Sequence, residues 1–159
     1  MVRAEKERGT FTHQAKSHTK KLLVVDDSLG ELQIIYKILS KAGYTIITAS
    51  DGAEGVEKAL SEKPDLIILD VVMPKKNGFQ ACRAIKSSPE TQHIPVILLS
   101  SKSQPADKFW GMKQGADLYL TKPLVPMGLL KAVAGFLAKH LLLRYEREER
   151  RQLRNAAVT

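Results

Sequence analysis

Residues 21–27 read Lys-Leu-Leu-Val-Val-Asp-Asp, and residues 66–70 read Leu-Ile-Ile-Leu-Asp. In both stretches a short run of apolar residues ends in aspartate. Uninterrupted apolar runs of this length are typical of strands in a parallel sheet that is covered by helices on both faces. Because ligands of such sheets bind at the carboxyl ends of the strands, the two stretches predict an α/β fold with Asp26, Asp27 and Asp70 at one edge of the sheet.

The alternation of short apolar strands with helical segments occurs five times along the chain. The predicted strands cover residues 21–26, 45–49, 65–70, 95–100 and 117–121, and the predicted helices cover residues 28–42, 51–62, 77–87, 104–114 and 125–150. This order implies a parallel sheet with right-handed crossovers and helices on both faces. The spacing of apolar residues predicts two buried helical stripes, Leu32, Ile35, Leu39 and Ala42 in the first helix and Leu130, Val133, Leu137 and Leu141 in the last.

Charge divides the 159-residue chain into three parts. The net charge of +8 is made up of +4 in residues 1–21, +3 in residues 139–159 and +1 in between. We therefore expect a flexible basic extension over residues 1–19, one compact domain over residues 20–140, and a charged helical extension or tail over residues 141–159. Basic ends can attract nucleic acid or acidic surfaces, but charge runs are more often simply solvated.

Composition excludes several classes of protein. A single cysteine, Cys82, allows neither an internal disulfide nor a cysteine metal cluster. No apolar run approaches the length of a membrane span, and the polar N-terminus does not resemble a signal peptide, so we expect a cytoplasmic protein without a membrane span. The 21 residues after Ala138 are too few for a helix-turn-helix domain, so we expect no nucleic-acid-binding domain.

Three carboxylates at one edge of a sheet require compensation. Two unit charges about 4 Å apart repel by roughly 4 kcal/mol at an effective dielectric constant of 20. A hard divalent ion with oxygen ligands would remove this repulsion. The turn after the first strand lacks the glycine-rich pattern of dinucleotide or nucleoside-triphosphate sites. An Asp-Asp pair alone can also serve as a helix cap, but beside a metal ion Asp70 could act as a nucleophile and form an acyl phosphate.

The fourth and fifth predicted strands end in further polar residues. The fourth strand ends at Ser100, whose hydroxyl could donate to a phosphoryl oxygen. The fifth is followed by Lys122, a cation that could oppose the acidic cluster, and by Pro123. Each residue alone also fits an ordinary strand end or an ordinary surface lysine, but together with the three aspartates they predict a single site.

The order Asp26-Asp27, Asp70 with Met73-Pro74, Ser100 and Lys122-Pro123 resembles the receiver domain of two-component response regulators over about residues 20–140. The resemblance implies a flavodoxin-like, doubly wound sheet of strand order 2-1-3-4-5 with five helices. It implies that Asp70 accepts a phosphoryl group from a sensor histidine kinase, and that the protein catalyses only its own phosphorylation and dephosphorylation. It also implies Mg²⁺, with Mn²⁺ as an alternative, held by four groups: the carboxylates of Asp26, Asp27 and Asp70 and the backbone carbonyl of Val72.

The resemblance further implies a phosphorylation-dependent switch. Ser100 and Lys122 match the residues that grip the phosphoryl oxygens, the bond before Pro123 is expected to be cis, and Tyr119 matches an aromatic side chain that turns inward. The alternative for Tyr119 is an aromatic residue that packs and never moves. The altered face would include the fourth helix, the fifth strand and the fifth helix, and a downstream target would bind there. The protein itself is expected to be a monomer or a weak dimer.

Residues 101–104 and 110–116 are most similar to chemotaxis-type regulators, especially those of type IV pilus systems that govern twitching motility or phototaxis. The alternative for Trp110 is that it simply packs under its helix. A degenerate receiver that binds partners without phosphorylation is the main rival interpretation, and the complete acidic set argues against it. A phosphatase related to haloacid hydrolases would need an aspartate where Val72 stands.

The residues next to the predicted site favour a long-lived acyl phosphate. Val72, two residues after Asp70, cannot orient a hydrolytic water, and Lys102, two residues after Ser100, is cationic. We therefore expect slow spontaneous dephosphorylation.

Overall fold

A computed structural model describes residues 19–158. The predicted flexible extension over residues 1–19 therefore lies outside the described residues, apart from Thr19. The elements in chain order are β1 (Lys21–Val25), α1 (Leu29–Lys41), β2 (Thr45–Ala49), α2 (Gly52–Glu62), β3 (Leu66–Asp70), α3 (Gly78–Ser87), β4 (Val96–Ser100), α4 (Pro105–Lys113), β5 (Leu118–Thr121) and α5 (Pro126–Ala157). Apart from the end of α5, every boundary falls within one residue of its predicted position.

The five strands form one parallel sheet in the order β2-β1-β3-β4-β5, which confirms the predicted fold class. The register aligns the carboxyl ends of the strands: Val25 of β1 pairs with Leu69 of β3, and Asp70 pairs with Leu99 of β4. Residues that directly follow these strands therefore meet at the same edge of the sheet.

Alternate side chains of each strand pack on opposite faces of the sheet, as the two-residue period of a strand requires. Leu22 and Val24 of β1 belong to one apolar cluster, which includes residues of α1 and α5. Leu23 and Val25 belong to the other, which includes residues of α2 and α3. The central strands are buried on both faces for this reason, and their ends are held firmly in place.

The predicted helical stripes are partly wrong. Leu32, Ile35 and Leu39 of α1 are buried as predicted, but Ala42 is the exposed C-cap of that helix. In α5 the buried residues are Leu129, Val133 and Leu137, so Leu129 replaces Leu130, which is only half-buried, and Leu141 is 46% exposed. The length of the sheet explains why Leu141 is exposed. Strands of five residues span only about 17 Å, and α5 extends beyond the end of the sheet at this residue.

Helix α5 is longer than predicted and continues to Ala157. Its final residues, Arg-Gln-Leu-Arg-Asn-Ala-Ala, include several strong helix formers, and residues 147–157 are exposed. By length and composition α5 is apolar enough to cross a membrane, with a mean hydropathy of 1.3 over an 18-residue window of which 17% is buried. A helix that packs one face on a sheet passes the same test, so this observation alone does not establish a membrane span.

Candidate metal centre and phosphoacceptor site

Three carboxylates meet at the carboxyl edge of the sheet. Asp26 directly follows β1 and is 1% exposed, Asp70 ends β3 and is 8% exposed, and Asp27 is exposed. One carboxylate oxygen of each residue lies within 4.8 Å of the others. The structure thus brings together the three side chains that the strand pattern predicted at this edge.

Asp26 is held from two sides but keeps one carboxylate oxygen without a hydrogen bond. Its backbone N–H donates to the carbonyl of Ala49 at 3.1 Å, and its Oδ1 accepts from the N–H of Ser28 at 2.9 Å. Its Oδ2 is buried and, within residues 19–158, is the one buried side-chain oxygen or nitrogen without a hydrogen bond. An unsatisfied buried oxygen is costly, and a bound cation would satisfy it.

The electrostatics of the site favour binding of a cation. Burial, followed by the neighbouring Glu31 carboxyl, raises the pKa of Asp26 to about 7. Burial also raises the pKa of Asp70, although Lys122 and the backbone N–H groups of Val71 and Val72 oppose this shift. Both carboxyls therefore resist ionisation in the absence of additional positive charge. The set of hard oxygen donors fits Mg²⁺ or a similar divalent ion.

Lys122, which follows β5, supplies a positive charge to the aspartate cluster. Its Nζ lies 3.5 Å from Asp26 Oδ2 and 3.6 Å from Asp70 Oδ1, and it also forms an ion pair with Glu31. Burial lowers the pKa of Lys122, but the three carboxylates outweigh burial and raise the pKa above its ordinary value. The predicted cis bond before Pro123 is confirmed.

Glu31 is the residue of this cluster that sequence reasoning missed. Its position three residues after Ser28 fits the N-terminal cap of α1, and its backbone N–H donates to the Ser28 side chain at 3.4 Å. The proximity of Asp26, followed by that of Lys122, holds the pKa of Glu31 below its ordinary value. An available signal was its place in the first helical turn after the Asp-Asp pair, because helical side chains lean toward the helix N-terminus.

The loop after Asp70 is fixed by a close contact at Gly78. The N–H of Gly78 donates to the carbonyl of Val71 at 2.9 Å, and a Cβ at Gly78 would lie 2.1 Å from the Asp70 carbonyl oxygen. Asn77 caps α3 through a reciprocal pair of hydrogen bonds with Gln80. The loop that carries Val72 is therefore tied at both ends, while the Val72 side chain is 54% exposed. The role of the Val72 carbonyl as a metal ligand stays a prediction.

Ser100 and Tyr119 are linked through the backbone of Lys102. Ser100 is fully buried at the end of β4, and its Oγ accepts from the N–H of Lys102 at 3.1 Å. Tyr119 is 9% exposed, and its hydroxyl donates to the carbonyl of Lys102 at 2.6 Å. Gly111 makes room for the Tyr119 ring, since a Cβ there would lie 2.8 Å from its Cδ2 atom. The ring therefore already occupies an inward position.

Helix α4 presents aromatic side chains to the surface. Trp110 is 58% exposed and contacts Phe109 edge to face, with ring centroids 6.3 Å apart. The alternative that Trp110 packs under its helix is wrong, because the neighbouring Gly111 takes the buried position. Gly115, with φ of +96°, follows the C-terminus of α4 in the left-handed conformation that favours glycine.

The strand order and the acidic edge of the sheet are those of a receiver domain, and the family comparison agrees. The model of the response regulator receiver domain matches residues 22–134. The chain belongs to this family, and the resemblance seen in the sequence is confirmed.

Individual relatives extend the comparison. The chain is 45% identical over 118 residues to protein PilH of Pseudomonas aeruginosa, a match that covers 74% of this chain and 98% of PilH. It is 40% identical over 120 residues to the alkaline phosphatase synthesis transcriptional regulatory protein PhoP of Bacillus subtilis, covering 76% of this chain but 49% of PhoP. Among solved structures, the chemotaxis protein CheY4 of Vibrio cholerae is 36% identical with a TM-score of 0.70, covering 74% of this chain and 98% of that one. A putative response regulator from Chloroflexus aurantiacus is 31% identical with a TM-score of 0.73, covering 76% and 98%.

Proposed function

We propose that this response regulator accepts a phosphoryl group on Asp70 from a phosphohistidine of a sensor histidine kinase, in a reaction that depends on Mg²⁺. The observation that carries the proposal is the cluster itself: three carboxylates within 4.8 Å of one another and the Lys122 ammonium 3.6 Å from Asp70 Oδ1. Such a cluster is costly as a purely structural element, because each carboxylate repels the others.

The transfer forms one bond and breaks one bond. A carboxylate oxygen of Asp70 forms the new bond to phosphorus, the phosphorus–nitrogen bond breaks, and the imidazole of the kinase leaves. Phosphoryl transfer depends mainly on positioning and charge neutralisation. Asp26, Asp27, Asp70 and the Val72 carbonyl would hold Mg²⁺, or Mn²⁺ in its place, and the ion would neutralise charge on the phosphoryl oxygens.

Two protein groups have defined tasks in this proposal. Lys122, which contacts Asp70 and Asp26, would bind a phosphoryl oxygen, and its raised pKa keeps it charged at neutral pH. Ser100 would donate its hydroxyl to a second oxygen. The Ser100 hydroxyl accepts a hydrogen bond from the Lys102 N–H and also contacts the Tyr119 hydroxyl, so it would exchange these contacts for the phosphoryl oxygen.

The proposed switch follows from the contacts of Ser100. Movement of Ser100 toward the phosphate would break its bond to the Lys102 N–H, and the Lys102 carbonyl also holds the Tyr119 hydroxyl. The change would pass to α4, β5 and the start of α5, where a downstream target would bind. To shift the ratio of the active to the inactive conformation from 1:99 to 99:1, phosphorylation would have to stabilise the active conformation by roughly 5.5 kcal/mol more than the inactive one.

The likeness to PilH and CheY4 supports a place in a chemotaxis-type pathway, with pilus-based motility or taxis as the proposed output. A test that depends on no particular kinase is incubation with acetyl phosphate and Mg²⁺, followed by intact-protein mass spectrometry. We expect the mass of one phosphoryl group to be added, and we expect this gain to be lost without Mg²⁺ and in Asp70→Ala.

A matched control is Asp117→Ala, because Asp117 is a carboxylate beyond the opposite, amino-terminal end of β5 and should not alter the gain. No gain in the unchanged protein, in the presence of saturating Mg²⁺, would favour the rival interpretation. The chain would then be a receiver that binds its partners without phosphorylation.

A further inference from the structure

A second cavity lies at the opposite edge of the sheet from the aspartate cluster. It has a volume of about 450 Å³, and its wall includes residues just before β1, β3 and β4 together with one face of α5. Because β1, β3 and β4 each have five residues, this cavity is separated from the carboxyl edge by about 17 Å. It is therefore distinct from the proposed phosphoacceptor site.

The polar wall of this cavity is strongly basic. Six side chains that are cationic or can become cationic line it, namely Lys20, Lys63, His93, His140, Arg144 and Arg147. Asp65 is the one acidic residue of the lining, and its Oδ2 is engaged by the backbone N–H of Lys21 at 2.8 Å. Within residues 19–158 none of the six basic side chains forms an ion pair shorter than 4 Å.

The electrostatics of His140 show how closely these groups face one another. Burial, followed by the facing His93, lowers the pKa of His140, and Lys86 and Arg147 act in the same direction. Asp117 opposes the shift without reversing it. An anion in the cavity would relieve this repulsion.

The remaining wall is apolar. Pro64, Ile94 and Pro95 are buried at the strand entrances, and Leu137 and Leu141 of α5 face them across the cavity. A wall that combines apolar side chains with a few convergent charges is typical of sites for small organic ligands, and the volume lies in the usual range for such sites. Inorganic anions would use only the basic part.

The cavity depends on the part of α5 that extends beyond the family match. Residues 140, 144 and 147 follow one another at helical spacing and lie on one face of α5, and the receiver match ends at residue 134. Arginine binds phosphate groups through two parallel hydrogen bonds. Several cations around one cavity suit a ligand with several negative charges rather than a single carboxylate.

We propose that this cavity binds a small organic phosphate of nucleotide size, with its phosphates on the arginine and histidine side chains and its organic part on the proline, isoleucine and leucine wall. The site is independent of phosphorylation at Asp70. Its occupant would tie α5 to the amino-terminal edge of the sheet.

Isothermal titration calorimetry with ATP as the probe, in metal-free buffer of low ionic strength, tests this proposal. Without a metal ion the aspartate cluster offers the probe only the Lys122 ammonium, which the carboxylates of Asp26, Glu31 and Asp70 already engage. We expect saturable binding of one ATP and at least tenfold weaker binding by the double variant Arg144→Ala/Arg147→Ala. These side chains are exposed, so circular dichroism should show an unchanged fold.

The matched control is Arg150→Ala/Arg154→Ala, which removes the same charge from the next turns of α5 outside the cavity. We expect less than a twofold change in this variant. Equal weakening of both double variants would mean diffuse attraction to a basic helix and would overturn the proposal, as would the absence of saturation in the millimolar range. Pyrophosphate binding as tightly as ATP would overturn the assignment of the apolar wall to an organic group.

Discussion

Burial and the neighbouring Glu31 carboxyl raise the pKa of Asp26 from 3.8 to about 7. In the metal-free protein the folded state therefore retains a proton, between about pH 4 and 7, that the unfolded state has lost. The stability of the metal-free protein accordingly decreases as the pH rises through this window. A metal ion that binds Asp26 must displace that proton.

Mg²⁺ affinity should therefore depend on pH. We expect it to be nearly constant above pH 7 and to fall by up to about tenfold per pH unit below 7, because one proton is released on binding. Glu31→Gln should move the midpoint to lower pH, since the Glu31 carboxyl raises the pKa of Asp26. Calorimetry in buffers of different ionisation enthalpy would count the released protons.

The control for this experiment is Glu54→Gln, which removes a carboxylate from the corresponding turn of α2 and should leave the midpoint unchanged. Glu54 accepts from the N–H of Ser50 at 3.0 Å and pairs with Lys58, and it takes no part in the aspartate cluster. A flat Mg²⁺ affinity between about pH 8 and pH 6 would contradict the protonated state of Asp26.

Val72 should control the lifetime of the phosphorylated form. Its side chain is 54% exposed two residues after Asp70, and it cannot hydrogen-bond a water molecule. We expect Val72→Asn to speed hydrolysis of the acyl phosphate several-fold, up to about a hundredfold, because an amide can orient the attacking water. The decay would be timed by mass spectrometry after removal of acetyl phosphate. Val158→Asn, at another exposed valine, should have no effect on the rate of hydrolysis. An unchanged rate in Val72→Asn would show that the Val72 side chain does not control the lifetime of the acyl phosphate.

At the scale of elements, the N-terminus of α3 packs closely against the end of β3, and this contact constrains the site. A methyl group at Gly78 would lie 2.1 Å from the Asp70 carbonyl oxygen and 2.7 Å from Val71 Cα. Both atoms belong to the backbone, so the whole loop would have to shift.

Gly78→Ala should therefore destabilise the protein by about 2–3 kcal/mol, as overpacking does, and should weaken Mg²⁺ binding. Gly135→Ala is the matched control, because a Cβ at Gly135 meets nothing within 4 Å. That change in a helix interior should stabilise the protein by about 0.5–1 kcal/mol. Urea denaturation of both variants gives the comparison, and a Gly78→Ala protein as stable as the parent would mean that the loop adapts freely.

At the scale of the whole molecule, the two ends of the sheet carry opposite charge. The carboxyl edge holds the aspartate cluster, and the amino-terminal edge holds the basic cavity beneath α5. The last turns of α5 lie beyond both, and residues 147–158 are exposed. They therefore contribute little to the apolar core.

Removal of residues 149–159 should leave the receiver fold intact. Because the buried residues of α5 are Leu129, Val133 and Leu137, we expect the free energy of unfolding to change by no more than about 0.5 kcal/mol. Phosphorylation by acetyl phosphate should also be unchanged. A loss of stability that depends on protein concentration would instead indicate that exposed Leu153 packs against a second copy.

The sequence by itself determined the strands, their parallel arrangement and the gathering of Asp26, Asp27 and Asp70 at one edge. These features follow from local apolar patterns and from the rule that parallel strands end on the same side. Residues near the ends of helices were less predictable. Ala42 and Leu141 continue their apolar stripes, yet both are exposed because the surface against which the helix packs has ended.

Only the tertiary structure decided which distant groups touch. Glu31 and Lys122 are 91 positions apart, and no local sequence pattern indicates that they form an ion pair. Nor does any local pattern indicate that the Glu31 carboxyl raises the pKa of Asp26. The basic cavity likewise exists only because α5 extends past the sheet edge and brings Arg144 and Arg147 near residues that precede three strands. Hydrophobic periodicity specifies the face that an element buries, but the neighbours of its polar side chains depend on how long and closely packed the assembled elements are.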